Sequence, residues 1–313
     1  MNLTVQTQPA PGILTPQQRE EILTRFVENQ DVKENSQDLY KRTLRGFFNW
    51  VDKKSYLLSD LTRVEVMQYR EELLQSGKSS LTVGSYITSV RRFYEWAEAN
   101  RLSPNIAKGI RTPKRKQQFK KQALTLDQAS ELLKHCQGDN VRDFAVINLL
   151  LRAGLRTIEI IRANVGDIAF KGSQRVLYVH GKGRDEKDNF VLLTDKAFKP
   201  IEAYLSTRAE KSPSEPLFLS GSNNNKGGRL TTRSISRIAK NGLKAIGLND
   251  KSFTAHSLRH TTAVNILRAG GSREQAQHTL RHASSTTTQI YTETIKEEQR
   301  LKNSGEALLD GLF

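Results

Sequence analysis

Apolar side chains recur at three- and four-residue spacing through the first hundred residues, the period of helices with one buried face. Thr15, Pro16 and the pair Glu20/Glu21 mark a helix start, followed by Ile22, Leu23, Phe26 and Val27. A second stripe runs Leu39, Tyr40, Leu44, Phe47, Phe48, Val51. The third begins after Asp60 and runs Val64, Met67, Tyr69, Leu73, Leu74, ending before Gly77. The fourth runs Leu81, Val83, Ile87, Val90, Phe93, Tyr94, Trp96, Ala97. These stripes predict an all-helical block over residues 15–112, behind a flexible N-terminus at 1–14, with its aromatic residues in the core.

Beyond residue 122 the pattern is mixed. Helical spacing predicts helices at Thr125–Cys136, Val141–Arg152 and Arg156–Arg162, and again at about 195–209, 231–246, 256–269 and 272–280. Between them, the β-rich runs Val176–His180 and Phe190–Leu193 flank the turn-like GKGRDEKDN, which predicts a small antiparallel hairpin. SGSNNNKGGR at 220–229 reads as a flexible polar loop. Separating the two blocks, PKRKQQFKKQ at 113–122 holds Lys114, Arg115, Lys116, Lys120 and Lys121 with no acidic residue, and reads as a basic linker.

Charge narrows the range of partners. Lys plus Arg number 49 against 33 Asp plus Glu in 313 residues, a net +16 that attracts a polyanion, either nucleic acid or an acidic membrane surface. No stretch approaches the ~18 apolar residues of a membrane span, and no signal-peptide pattern opens the chain. The single cysteine, Cys136, cannot form an intrachain disulfide and fits a cytoplasmic protein. Lys41, Arg42, Arg45, Lys78, Ser79, Thr82, Ser85, Arg91 and Arg92, set between the apolar stripes, are candidates for a phosphate-facing surface.

Four strings in the second block concentrate unusual chemistry: AGLRTIEI (153–160), VHGKGRDEKD (179–188), HSLRHTTA (256–263) and TLRHASSTTTQIY (279–291). They supply two arginines, a lysine in a Gly-flanked turn, histidines and a tyrosine. Guanidinium groups fork onto phosphate oxygens and keep their charge, so such a set suits phosphoryl transfer without a metal. The pairs His256/His260 and His278/His282, each four residues apart, allow a rival metal-site reading, but they lack the intervening Glu of a metalloprotease helix.

The four strings resemble, in order, the motifs of the tyrosine recombinase family, the phage integrase and Xer-type site-specific DNA recombinases. The resemblance implies that Arg156 and Arg259 bind phosphate, that Glu159 buttresses Arg156, and that Lys182 is the hairpin lysine. It also implies that His256 and His282 are the two histidines and Tyr291 the nucleophile. NSQDLYKRTLRGFFNW and SSLTVGSYITSVRRFYEWAEANRLSPN resemble the family's helical core-binding domain. The implied fold is two-domain and mainly α: an all-helical, SAM-like core-binding domain at 15–112, and a mixed α/β catalytic domain of the DNA breaking-rejoining fold, with a small antiparallel sheet, at 123–295.

By the same resemblance, the activity is site-specific strand exchange for integration, excision or resolution, through a 3′-phosphotyrosyl intermediate and without cofactor or metal. The partners are a duplex with an inverted-repeat core site, a second protomer on that site, and four protomers in a synapse. The two domains are expected to clamp the duplex, and the tail at 296–313, with Ala307, Leu308, Leu309, Leu312 and Phe313, to pack on a neighbouring protomer. One position departs from the family. Where Gly commonly precedes the last histidine, this chain has Arg281, adding bulk and charge beside the expected site.

Overall fold

The computed structural model describes residues 15–114, 122–180, 187–209, 211–281, 291, 295–296, 298–301, 303–310 and 312. The chain divides into two compact units, Met1–Gln118 and Phe119–Phe313.

The first unit is helical: α1 Pro16–Glu28, α2 Glu34–Lys53, α3 Arg63–Gln75 and α4 Ser80–Ala99. Its helix starts carry side-chain caps where the sequence offers them. Thr15 Oγ1 accepts from Gln18 N while Gln18 Oε1 accepts from Thr15 N, a reciprocal cap; Thr62 and Glu65 repeat the arrangement on α3. Phe26, Leu44, Phe47, Ile87 and Val90 are fully enclosed, and edge-on ring contacts join Phe47 to Tyr69 (5.1 Å) and Phe26 to Phe93 (5.6 Å). On α3 the inward face is Val66, Tyr69 and Leu73, whereas Val64 and Met67 of the predicted stripe are 66% and 40% exposed. The 66/69/73 spacing keeps one face inward, and Val64 and Met67 lie off it.

The second unit comprises α5 Leu126–Gln137, α6 Val141–Arg152, α7 Thr157–Arg162, strands β1 Ile168–Lys171, β2 Gln174–Val179 and β3 Asn189–Leu192, then α8 Asp195–Ser206, α9 Thr232–Ala245, α10 Ala255–Arg268 and α11 Arg273–Leu280. A last short helix spans Gly305–Leu309. The sheet is antiparallel in the order β1-β2-β3, with Val176 opposite Ala169 on one side and Leu192 on the other. The sequence predicted only β2 and β3. Strand β1 is four residues long, half-buried to exposed throughout, and shows no alternation to read. The segment 220–229, expected to be a flexible loop, contains a single 3-10 turn at Asn223–Asn225 and a bridge between Leu219 and Arg229.

Helix α6 is the structural axis of this unit. Ala145 to Leu151 are all buried, packed among α5, α8, α9 and α10. Its one buried polar residue, Asn148, is satisfied: Nδ2 donates to the carbonyls of Lys196 (3.0 Å) and Ala197 (3.3 Å), and Oδ1 accepts from Arg152 Nε. Helix α10 is buried almost as completely, and two threonines fix it. Thr262 Oγ1 donates to the carbonyls of Leu150 (3.1 Å) and Leu151 (2.8 Å), and Thr261 Oγ1 accepts from Leu124 N. Thr262 thereby ties the middle of α10 to the C-terminal end of α6, next to Arg156 and Arg259.

Candidate active site

Helix α6 stops at Ala153, and the chain reverses through Gly154, whose φ of +56° is left-handed. Two residues later Arg156 caps α7, with Glu159 in its first turn. Glu159 Oε2 accepts from the Arg156 backbone N–H and Oε1 from Arg156 Nη1, both at 2.7 Å. The sequence suggested this local pair. The structure adds that Glu159 is completely buried and serves two more guanidinium groups: Arg281 Nη2 donates to Oε2 at 2.7 Å, and Arg259 Nη1 lies 3.9 Å from the same oxygen. A buried carboxylate is costly unless paired. Burial pushes the Glu159 carboxyl up, but the charge and hydrogen bond of Arg281, with those of Arg156, outweigh it and hold the group below the usual carboxylate range.

Arg259 projects from α10 and is itself 2% exposed. Its Nη1 donates to the Gly154 carbonyl and its Nη2 to the Leu280 carbonyl, so one side chain joins the end of α6, α10 and the end of α11. Burial, with the like charge of Arg156, brings its pKa down to about 9, which leaves it protonated at neutral pH. His256, one turn earlier on α10, is exposed. Arg156 keeps a quarter of its side chain open to solvent, with Nη2 donating to the Arg281 carbonyl at 3.2 Å.

Tyr291 is 3% exposed, enclosed by Ala263, Val264, Ala276 and Leu280 and set against the His260 ring, with centroids 4.7 Å apart. Burial raises its pKa; the charges of Arg259 and Arg156 pull the other way without cancelling the rise. The structure brings the charges of Arg156 and Arg259 to bear on the Tyr291 phenol, with Glu159 paired to both arginines and His256 on the same helix as Arg259. Lys182 and His282 lie outside the described residues, as do Arg115, Lys116, Lys120 and Lys121 of the linker. The loop that carries Lys182 joins β2 to β3, whose paired ends are Val179 and Asn189.

In the helical unit, Lys114, Arg42, Arg45, Lys78, Ser79, Thr82 and Arg92 are exposed, and Lys41 and Arg91 half-buried. Several already have local work. Arg45 donates twice to Glu20 at 2.7 Å, Arg92 to Glu95 at 3.1 Å, and Ser79 Oγ caps α4 by accepting from Thr82 N. A groove of about 260 Å³ on this unit is lined by Ser36, Tyr40, Ser80, Ser85, Thr88 and Thr112 together with Leu39, Leu81, Gly84 and Pro113. Among the described residues no group of three or more His, Cys, Asp and Glu is placed to hold a metal ion, and no helix is long and apolar enough to cross a membrane.

Sequence reasoning missed Arg229, and it marked Arg281 as a departure without giving it a partner. Arg229 donates to the Ile161 (2.9 Å) and Ala163 (3.2 Å) carbonyls and to Asn164 Oδ1, holding the end of α7. Arg281 is the C-cap of α11 in left-handed conformation, φ +52°, with its side chain 7% exposed. A left-handed cap ordinarily takes glycine, so its occupation by arginine was the signal available; its partner, 122 residues away, was not legible.

Comparison with known proteins places this site in a family. Residues 122–298 match the model of the phage integrase family, and residues 24–101 that of the phage integrase N-terminal SAM-like domain. The chain belongs to the phage integrase family, the tyrosine recombinases. It is 33% identical over 261 residues to the tyrosine recombinase XerC of Pelobacter propionicus, covering 81% of this chain and 82% of that one. It is 29% identical over 282 residues to XerD of Oceanobacillus iheyensis, covering 87% and 91%. It shares its fold with XerH site-specific recombinase bound to a palindromic difH substrate (TM-score 0.73, 18% identity, 93% of this chain and 84% of that one) and with a lambda integrase dimer bound to a core site (0.69, 18%, 87% and 76%). Within that family the chain is a site-specific recombinase that cleaves and rejoins DNA.

Proposed function

We propose that Tyr291 is the nucleophile of this recombinase and that Arg156 and Arg259 bind the scissile phosphate. The observation that carries the reading is the pairing of both guanidiniums with one buried carboxylate, Glu159, while their charges act on the Tyr291 phenol. Tyr291 Oη attacks phosphorus as the bond to the 5′-oxygen breaks, leaving a 3′-phosphotyrosyl link and a free 5′-hydroxyl; a 5′-hydroxyl of the partner strand then reverses the step. One phosphoester replaces another at each stage, so no energy-supplying cofactor enters. His256 accepts the phenol proton, Lys182 protonates the leaving oxygen, and His282 donates a hydrogen bond to the phosphate. The arginines offset charge developing on the phosphoryl oxygens.

In the DNA-free chain Tyr291 is packed against His260, so it must leave that packing to reach phosphorus. The reading includes a helical core-binding unit at 15–112, the basic linker at 113–122, a catalytic unit at 123–295, two protomers on an inverted-repeat core site and four in the synapse, with work in the cytoplasm. Leu301, Leu309 and Leu312 are 77%, 52% and 74% exposed in the single chain, which supports a role for the tail at 296–313 in contacts between protomers.

The target site is obtained by sequencing DNA recovered in SDS-resistant complexes, and a nicked suicide duplex is built from it. The wild-type protein is expected to accumulate a covalent adduct on that duplex. Tyr291→Phe binds it equally and forms none; an adduct persisting in Y291F overturns the assignment.

A further inference from the structure

Arg281 occupies a position that a left-handed backbone reserves for glycine, yet its guanidinium is among the most enclosed in the protein. It does not reach solvent, so it is not placed to touch DNA. Its two terminal nitrogens donate inside, Nη1 to the Thr279 carbonyl at 2.6 Å and Nη2 to Glu159 Oε2 at 2.7 Å, with the Gly154 carbonyl 3.4 Å away, while Nε is buried without a partner among the described residues. Each oxygen of Glu159 thus has its own guanidinium partner, Arg156 on Oε1 and Arg281 on Oε2. With Oε2 shared by Arg281 and the Arg156 backbone N–H, the Arg156 guanidinium is held through Nη1 at the other oxygen, and its part-exposed remainder stays available outward. The Arg281 backbone carbonyl also accepts from Arg156 Nη2, so Arg281 fixes Arg156 from two sides, through Glu159 and directly.

We propose that Arg281 is a positioning residue for strand cleavage: it holds the Glu159 carboxylate in place, and through it sets the two phosphate-binding guanidiniums. The inference rests on the phosphate-binding role given above to Arg156 and Arg259. Among the described residues, the charged groups facing Glu159 are Arg156 from the start of α7, Arg281 from the end of α11 and Arg259 from α10; Tyr291 faces the arginines rather than the carboxylate. Of the effects that keep Glu159 ionised against its burial, the charge of Arg281 is the largest. Removing that charge leaves the burial in place, so the carboxyl takes up a proton at higher pH.

The experiment measures single-turnover formation of the covalent adduct on the nicked duplex from about pH 8 down to about pH 5.5, for the wild type, Arg281→Gln and Arg281→Lys. Arg281→Gln is expected to bind the duplex normally and cleave about 10- to 100-fold more slowly, the scale of a small misplacement of catalytic groups. The variant-to-wild-type ratio is expected to fall further as the pH drops, because Glu159 becomes protonated in the variant first. Arg281→Lys, which restores the charge, removes that extra pH dependence. In a Glu159→Gln background, Arg281→Gln adds little.

A rate ratio independent of pH, or additive effects of the two substitutions, overturns the inference. If Arg281→Gln proves unfolded by circular dichroism, Arg281→Gly, which suits the left-handed backbone, is measured and judged by the same outcomes. Arg156→Lys in the same assay separates the two readings. Cleavage unaffected by R156K refutes the phosphate-binding role itself, whereas cleavage lost in R156K but unchanged in R281Q refutes only the role of Arg281.

Discussion

His260 and Tyr291 pack ring against ring, 4.7 Å between centroids and inclined at 50°, and both are almost wholly buried. The histidine is therefore a neutral aromatic wall for the tyrosine: burial, with the charges of His256 and Arg268, brings its pKa down from 6.5 to about 4. Between those two values the unfolded chain binds a proton that the folded chain does not. Stability accordingly falls as pH falls across that window, at up to about 1.4 kcal/mol per pH unit, and this group's slope dies away above 6.5 and below 4. Urea unfolding of the free protein from pH 7.5 to 4 checks this. His260→Phe keeps an aromatic wall and cannot titrate, so the wild type is expected to lose more stability than H260F on acidification; parallel losses refute the assignment.

The two arginines proposed to bind the phosphate differ in what they do for the fold. Arg259 is buried and bridges the Gly154 and Leu280 carbonyls, whereas Arg156 keeps 25% of its side chain exposed. Arg259→Met leaves two enclosed carbonyls without their donor and Glu159 with less compensation, a loss of about 3–5 kcal/mol. Arg156→Met is expected to cost less, about 1–3 kcal/mol, because water reaches the exposed quarter of the site it leaves, although Glu159 Oε1 loses its guanidinium donor. Both abolish adduct formation. Equilibrium urea unfolding measures the contrast, and equal losses count against the bridging role of Arg259.

The helical block was legible because its apolar period is strong over ten residues or more, and the chemistry because each motif is contiguous. The errors are local and physical. Val64 and Met67 carry apolar side chains on a helix whose inward face is set by Val66, Tyr69 and Leu73. Strand β1 has four residues and a 66%-exposed Phe170, so only its pairing with β2 makes it a strand. The partners of Glu159 come from residues 156, 259 and 281; only the first lies within one helical turn, and burial of the carboxylate follows from the other two.

Neighbouring cations on α2 test the DNA-binding face. Arg45 is already held by Glu20 through two 2.7 Å hydrogen bonds, while Arg42 is exposed. A phosphate contact made by an unpaired cation displaces counterions, so the slope of log K against log salt loses about 0.9 per contact removed. Arg42→Ala is expected to flatten the slope by that amount, and Arg45→Ala by less, since its loss also frees an acidic Glu20. Fluorescence anisotropy over a salt series on the core-site duplex gives both slopes. An unchanged slope in R42A removes Arg42 from the interface.

Gly154 gives the sharpest test of how the site is assembled. Its φ of +56° is unfavourable for any residue with a Cβ, and a Cβ built there meets Leu280 Cδ2 at 2.5 Å and Thr262 Cγ2 at 3.2 Å. The first conflict costs about 1–2 kcal/mol by itself. The second pushes the end of α6 away from the end of α11, whose carbonyls at Gly154 and Leu280 are bridged by Arg259. Gly154→Ala is therefore expected to lose roughly 2–4 kcal/mol of stability and to slow cleavage far more than it weakens duplex binding. Shortening the side chain it strikes separates the two causes. Leu280→Ala relieves the collision and not the backbone strain, so the double variant G154A/L280A should cleave faster than G154A alone. If it cleaves no faster, the collision with Leu280 is not what disturbs Arg259, and the left-handed backbone at Gly154 and the contact with Thr262 carry the effect.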